Sequence, residues 1–369
     1  MHDWKRYLAA VLAVAFSGLL MLVQLGLLLG MFGTVTAIVD QSSADLWVVD
    51  GRTESFDLAR EMPRRYEMEL RAHRQVETVQ MLIYGSADWR RSDGGTMSVS
   101  LVGVDVSDRS LATPVNVSPA LRVALEPLGT VAIDRSDRAK LGVASGGATE
   151  INGHRVRVVG TVRGMRAIGG ANVVMSQATA RLLLTSPGES TGEGSAYFLV
   201  KLRDRHHAAR VRDELQPPGA MPRYRVLFPD ELSAMSQAYW LLESGAGAGF
   251  GFSAALGLIV GIEIASQTLR GAILVSLREY ATLRALGVSL RSLRWVVLEQ
   301  AFWVGVTGLT SGCALLAIAF VAAKALDVAM VIPWWGALST AVLCLTVSMI
   351  SGLLALRPLY QTEPLDLMR

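Results

Sequence analysis

Two places in this sequence set charge where an apolar neighbourhood makes charge costly. The first is Ser276 to Gly287, SLREYATLRALG, which lies between long apolar stretches. With its flanks it carries Arg270, Arg278, Arg284, Arg291 and Arg294 against one acid, Glu279. Leu274, Leu277, Ala281 and residues 283–285 recur at helical spacing with no proline among them,. Gly287 stops that helix and Ser289 is placed to cap the next. The chemistry on offer is mechanical. The candidate contact helix comprises Leu277, Arg278, Glu279, Tyr280, Leu283 and Arg284. Leu277 and Leu283 would seat in a partner's groove, and Glu279 would fix the register by pairing with a basic group on the partner, a local pair with Arg284 being equally cheap. A helix that only lies on lipid headgroups is the alternative, and the force-receiving reading is preferred. The second place is Glu263, in LIVGIEIASQTLR, an acid inside an apolar run and therefore a candidate functional residue,.

Other chemistries find no support. There is no GxxxxGK[ST] sequence, so no P-loop for ATP,. GGATEING is glycine-rich but leads into a hairpin rather than a helix, and no serine sits in a GxSxG context,. His206 and His207 are adjacent on a polar amphipathic stretch and cannot share one metal on a helix face, so no metal site is assigned. Cys313 and Cys344 both lie in apolar segments, leaving no pair for a disulfide elsewhere,. A net charge of +3 is too small to suggest nucleic acid. No cofactor and no catalytic residue is expected on this chain, which reads as a non-enzyme.

The elements that position these residues are membrane spans. Leu8 to Ile38, Gly245 to Leu269, Trp295 to Ala323 and Trp334 to Leu356 are nearly uncharged, and each exceeds the roughly 20 residues needed to cross a bilayer,. The first is too long for a signal peptide and lacks a small-residue cleavage site, so it reads as an uncleaved anchor. Lys5 and Arg6, the arginine-rich connection, and Arg357 with Arg369 all fall on one side. Both termini are therefore expected in the cytoplasm, with the globular domain on the opposite side of the membrane. Gln24 in MLVQLG would seek a partner on another helix. Gly247, Gly251, Gly257 and Gly261 give the second span a small-residue face, suited to a dimer seam or to packing within the chain.

From about residue 41 to 239 the composition is that of a globular domain. Strands are expected at Asp45–Asp50, Val79–Tyr84, Thr96–Val104, Thr130–Asp134, Val156–Val162, Asn172–Met175, Tyr197–Leu202 and Tyr224–Phe228. Helices are expected at Ala59–His73, Gln177–Leu184, His206–Leu215 and Glu231–Leu242, the last running unbroken into the second span. Asn152-Gly153 is a hairpin signal and Ser176 a helix cap. The fold class is then a membrane protein with four transmembrane helices and a large α+β extracytoplasmic domain between the first and second. Its divisions are 1–40 (N-terminus and first span), 41–239 (the α+β domain) and 240–369 (three spans, the coupling helix and a tail).

Several of these stretches resemble the permease subunits of MacB/FtsX-type, mechanotransmitting ABC transporters. LREYATLRALG is similar to that superfamily's cytoplasmic motif before the third span, and LRPLYQTEPLDLMR to its proline-containing tail. RYLAAVLAVAFSGLLMLVQLGLLLG, SADLWVV, EINGHRVRVVGTV and AYW are similar to signatures of the DevC-like members. The resemblance implies a separate cytoplasmic ABC ATPase that uses ATP and Mg, a permease homodimer in the lipid bilayer, and often a periplasmic adaptor leading to an outer-membrane channel. It implies export of an amphiphilic or hydrophobic substrate such as a lipid, glycolipid or toxin. The alternatives are haem export of the HrtB type and an FtsX-like scaffold that activates cell-wall hydrolases. It also implies a second span reaching beyond the bilayer, which favours an interfacial role for Glu263 over one in transport.

Overall fold

The computed structural model describes residues 4–112, 117–143, 146–165, 167, 170–185, 193–219, 222–275, 289–326 and 328–355. The chain forms two compact units, Met31–Gly245 and Met1–Gly30 with Ala246–Arg369.

Helix α1 spans Trp4–Val35, and Thr36 separates it from the short α2, Ala37–Asp40. The apolar run to Ile38 suggested a longer helix. Instead the buried Thr36 hydroxyl bonds Phe32 O at 3.2 Å and the Asp40 carboxylate at 2.6 Å, a local alternative to the helical ladder,. Strand β1 is Leu46–Asp50 and helix α3 is Arg65–Arg71. The helix expected from Ala59 starts late because of Pro63. Proline drives the preceding residue extended, and Met62 pairs with Ser195 as an isolated antiparallel bridge.

Strand β2, Val76–Arg90, is far longer than its apolar stretch. Beyond Gly85 the apolar residues alternate with polar ones, so Ala87 and Trp89 are buried while Ser86, Asp88 and Arg90 face out,. The remaining domain elements are β3 (Thr96–Val104), α4 (Pro119–Leu125), β4 (Thr130–Asp134), α5 (Arg138–Leu141), β5 (Ala148–Ile151), β6 (His154–Val162), β7 (Asn172–Ser176), α6 (Gln177–Leu184), β8 (Tyr197–Leu202), α7 (Ala208–Leu215), β9 (Tyr224–Leu227) and α8 (Pro229–Ala238). Asn152 (φ 48°) and Gly153 (φ 78°) take the left-handed conformations that a tight β5–β6 turn needs,. Ser176 caps α6 by accepting from Thr179 N at 3.3 Å.

The length of β2 lets it serve two lobes. Its first half joins β8, β1 and β9 in an antiparallel sheet. Its second half closes a ring in which β2, β3, β7, β4, β6 and β5 each pair with the next and β5 returns to β2. The β3–β7 and β4–β6 pairs are parallel and the others antiparallel. Trp89, Leu101, Val131, Ile133, Ile151 and Val173 are buried in one core cluster of this barrel. Closure leaves no free sheet edge among the described strands of this ring.

After α8 the chain does not run straight into the second span. Tyr239–Glu243 form a π-helical turn, and Gly245 takes φ +79°, a conformation that ends a helix,. Helix α9 then starts at Ala246 and reaches Val275, α10 is Leu290–Ala325 and α11 is Trp334–Ala355. Among the described residues four helices are thus long and apolar enough to span a membrane, over Leu8–Val35, Ala246–Thr268, Arg294–Ala325 and Trp334–Leu353. Together with the α+β unit between the first and second, they make this a four-span membrane protein.

Candidate functional site

The basic connection at 276–288 lies outside the described residues, and with it Leu277, Arg278, Glu279, Tyr280, Leu283 and Arg284. On its far side Ser289 caps α10, accepting from Ser292 N at 3.3 Å.

The membrane unit is assembled on α1. Gly257 of α9 sits against Leu20, and Gly261 against Ser17. The Ser17 hydroxyl donates to Gly257 O at 3.1 Å. Gly308 and Gly312 of α10 let Val14 and Ala15 approach, and Gly18 faces Cys344 of α11. A second set of small residues joins the other helices. Ser348 Oγ donates to Ala301 O at 2.6 Å, Gly352 lies on Ala301, and Ser351 Oγ reaches Ile262 O at 3.5 Å. Lipid tails are as apolar as leucine, so close backbone approach and hydrogen bonds of this kind are what hold such helices together.

The small-residue face of the second span is therefore divided. Gly257 and Gly261 are used within this chain, Gly251 has no atom within 4 Å of where a Cβ would stand, and Gly247 is half-buried. Gln24 is half-buried and makes no hydrogen bond among the described residues. Glu263 is exposed on α9, where its Oε1 accepts from Gln267 Nε2 one turn on at 2.8 Å. Such an i,i+4 pair is worth about 0.2–0.5 kcal/mol. Glu263→Gln is expected to leave assembly with the ATPase and transport within about twofold of wild type, given that small energy. A tenfold loss of transport with normal assembly would assign the acid a transport role instead.

The globular unit holds an aromatic cluster that local sequence patterns do not announce. Trp47 meets Phe56 and Tyr197 edge-on at 6.0 and 5.6 Å, and Phe56 stacks on Tyr197 at 5.0 Å. Tyr84 leans on Phe56 at 5.1 Å. The Tyr197 hydroxyl donates to Phe56 O, which satisfies it in the core. Burial raises the pKa of both tyrosines, so each keeps its proton,. Beside them lies Asp57. Its Oδ1 accepts from Ser55 Oγ and from the Trp240 indole, the latter at 3.1 Å. Its Oδ2 carries no hydrogen bond among the described residues. The neighbouring hydroxyls do leave a signal, the alternation Tyr84-x-Ser86 and Ser98-x-Ser100, which puts them on one face of the paired β2 and β3.

His206 and His207 lie at the start of α7. His206 N bonds Asp204 Oδ1 at 2.9 Å, and His207 Nδ1 is 3.0 Å from Asp204 Oδ2. Among the described residues no group of three or more His, Cys, Asp or Glu is placed to hold a metal.

Comparison with known families matches residues 7–217 to the MacB-like periplasmic core domain and residues 251–364 to the FtsX-like permease C-terminal domain. Among solved structures, the chain is similar to the periplasmic region of MacB from Actinobacillus actinomycetemcomitans, at 12% identity and a TM-score of 0.35. That likeness covers 53% of this chain and 94% of the other. It is also similar to the extracellular domain of the noncanonical ABC-type transporter YknZ from Gram-positive bacteria, at 14% identity and a TM-score of 0.31, over 49% and 98% of the two chains. No curated protein matches the chain in sequence.

Proposed function

The chain belongs to the MacB/FtsX-type permeases of ABC transporters, and on that premise we propose that it is the permease subunit of an ATP-driven exporter of amphiphilic or hydrophobic molecules. The family is the membrane component of such transporters, and ATP is hydrolysed by a separate ABC ATPase subunit. The chain is a multi-pass inner-membrane protein. In the proposed arrangement both termini are cytoplasmic, as the positive flanks favour, and the two-lobed unit faces the periplasm. Two copies form the permease. The helix around Leu277 and Leu283 receives the closing movement of the ATPase, and the periplasmic unit passes cargo to an adaptor and outer-membrane channel.

The observation that carries this reading is the order of parts: one span, a two-lobed unit of the periplasmic core family, then three spans of the FtsX-like permease family with an arginine-rich sequence between the first two of them. The test is ATP-dependent transfer of a fluorescent amphiphile out of vesicles holding the permease and its ATPase. Transfer that needs both proteins and hydrolysable ATP is expected. Permease-dependent hydrolysis with no transfer, accompanied by activation of a cell-wall hydrolase, would replace the exporter with a signalling scaffold.

A further inference from the structure

A recess of about 210 Å³ opens in the globular unit where the first span ends, with Thr34 and Val35 on one side and the faces of β2 and β3 on the other. That is less than the roughly 300–1,000 Å³ of sites that enclose a whole drug-sized ligand, so it suits a headgroup rather than an entire amphiphile. Among the described residues Asp57 is the one charged side chain lining it. The other polar walls include the hydroxyls of Tyr84, Ser86, Ser98 and Ser100. We propose that this recess is a subsite for a primary ammonium group carried by a membrane amphiphile.

Sign and geometry both lead there. A lone carboxylate in a small recess attracts a cation, and Asp57 forms no ion pair within the described residues. Its Oδ1 is occupied by Ser55 and Trp240, which fixes the carboxylate and leaves Oδ2 without a hydrogen bond among the described residues. Ammonium N–H groups donate, and the ionised acid with its surrounding hydroxyls can accept them; the bond to the acid is charge-assisted. A hard divalent cation would want six or more oxygens with several carboxylates among them. A quaternary ammonium would want open aromatic faces. Here the Phe56 ring is stacked on Tyr197 and leaned on by Tyr84, so its faces are taken. A primary amine fits both conditions. Position supports a lipid source: Thr34 and Val35 close the first apolar span, and Trp240 precedes the second. Tryptophan of this kind sits at headgroup depth. As a cargo site the recess rests on the exporter reading; as a binding site it does not.

The test uses the full chain with its ATPase in nanodiscs. Phosphatidylethanolamine retained by the complex is compared with phosphatidylcholine and phosphatidylglycerol, and soluble O-phosphoethanolamine is titrated in parallel. Retention of phosphatidylethanolamine over both other lipids is expected, together with a loss of about tenfold in Asp57→Asn, from removal of a charge-assisted hydrogen bond. That variant keeps an acceptor for Ser55 and Trp240. Ser86→Leu, which fills the mouth and leaves Asp57 untouched, should lower retention similarly. Binding of the soluble probe as well would show that the ammonium group is recognised from either source; binding of the lipid alone would fix the lipid as ligand. Equal retention of phosphatidylcholine, or unchanged retention in both variants, overturns the proposal. If retention depends on Asp57 while no ATP-driven transfer occurs, the site stands and the exporter reading falls. If transfer proceeds equally with amine-free cargo and in Asp57→Asn, the exporter stands and the site falls.

Discussion

Gly30→Ala is expected to lower the thermal midpoint of the purified protein, whereas Gly33→Ala, in the same helix, should leave it unchanged or raise it. Near Gly30 the link between the third and fourth spans docks on the first helix, with Val331 N donating to Gly26 O at 3.0 Å. A Cβ on Gly30 would stand 2.5 Å from the Ala329 carbonyl carbon and closer still to its oxygen. That obstacle is backbone, fixed by the docking hydrogen bond, and it cannot swing aside as a side chain would. Overpacking of this kind costs about 1–3 kcal/mol, and more where nothing yields. Gly33 has no atom within 4 Å of where its Cβ would stand. There the change only removes glycine's conformational freedom, a gain of about 0.5–1 kcal/mol in a helix. Thermal unfolding in detergent, followed by circular dichroism, reads the difference. Equal midpoints for the two variants would mean that the link does not pack on the first span as described.

The second large effect is expected from the connection between the second and third spans. Leu277→Ala combined with Leu283→Ala should separate the permease from its ATPase while membrane insertion and permease self-association stay normal. A force-transmitting helix must bury apolar side chains in its partner, and Leu277 and Leu283 are the apolar residues of the 276–287 segment proposed for that contact. Each is worth about 1.5–3 kcal/mol if fully buried. Losing both weakens the contact by a factor on the order of a hundred or more. The measurement is the amount of ATPase that co-purifies with tagged permease. Glu279→Gln is the milder companion, since a single surface charge pair is worth only about 0–1 kcal/mol.

Much of the architecture could be read from the sequence because the membrane imposes a simple code. Four uncharged runs separated by charged flanks need no tertiary knowledge, and Asn152-Gly153 announces its turn through backbone stereochemistry alone. Errors arose where one residue overrode a pattern. Pro63 cut an expected helix to Arg65–Arg71, and Gly245 broke a helix that hydrophobic spacing made continuous. The barrel was hidden for a different reason. Strand β2 runs past Gly85 into Ser86, Asp88 and Arg90, polar residues that look like a loop until their alternation with Ala87 and Trp89 is noticed. The pairing partners that close the ring are far apart in sequence, and no local signal names them. The division of the glycine face was equally hidden. Spacing shows that Gly251, Gly257 and Gly261 can admit a helix, but only the position of Ser17 and Leu20 shows which of them already do. Asp57 gives no local signal, because an acid two residues after a serine reads as a solvated turn, and its surroundings depend on Trp240 and the β2–β3 face.

ATP hydrolysis by the ABC ATPase partner, measured alone, with the wild-type chain and with the Leu277→Ala, Leu283→Ala chain in the same nanodiscs, tests the coupling claim most directly. The predicted result is a rate that rises when the wild-type permease is added and falls back to the level of the isolated ATPase with the double variant. A rate indifferent to the permease, or raised equally by both chains, would contradict the claim that this connection transmits the ATPase's movement.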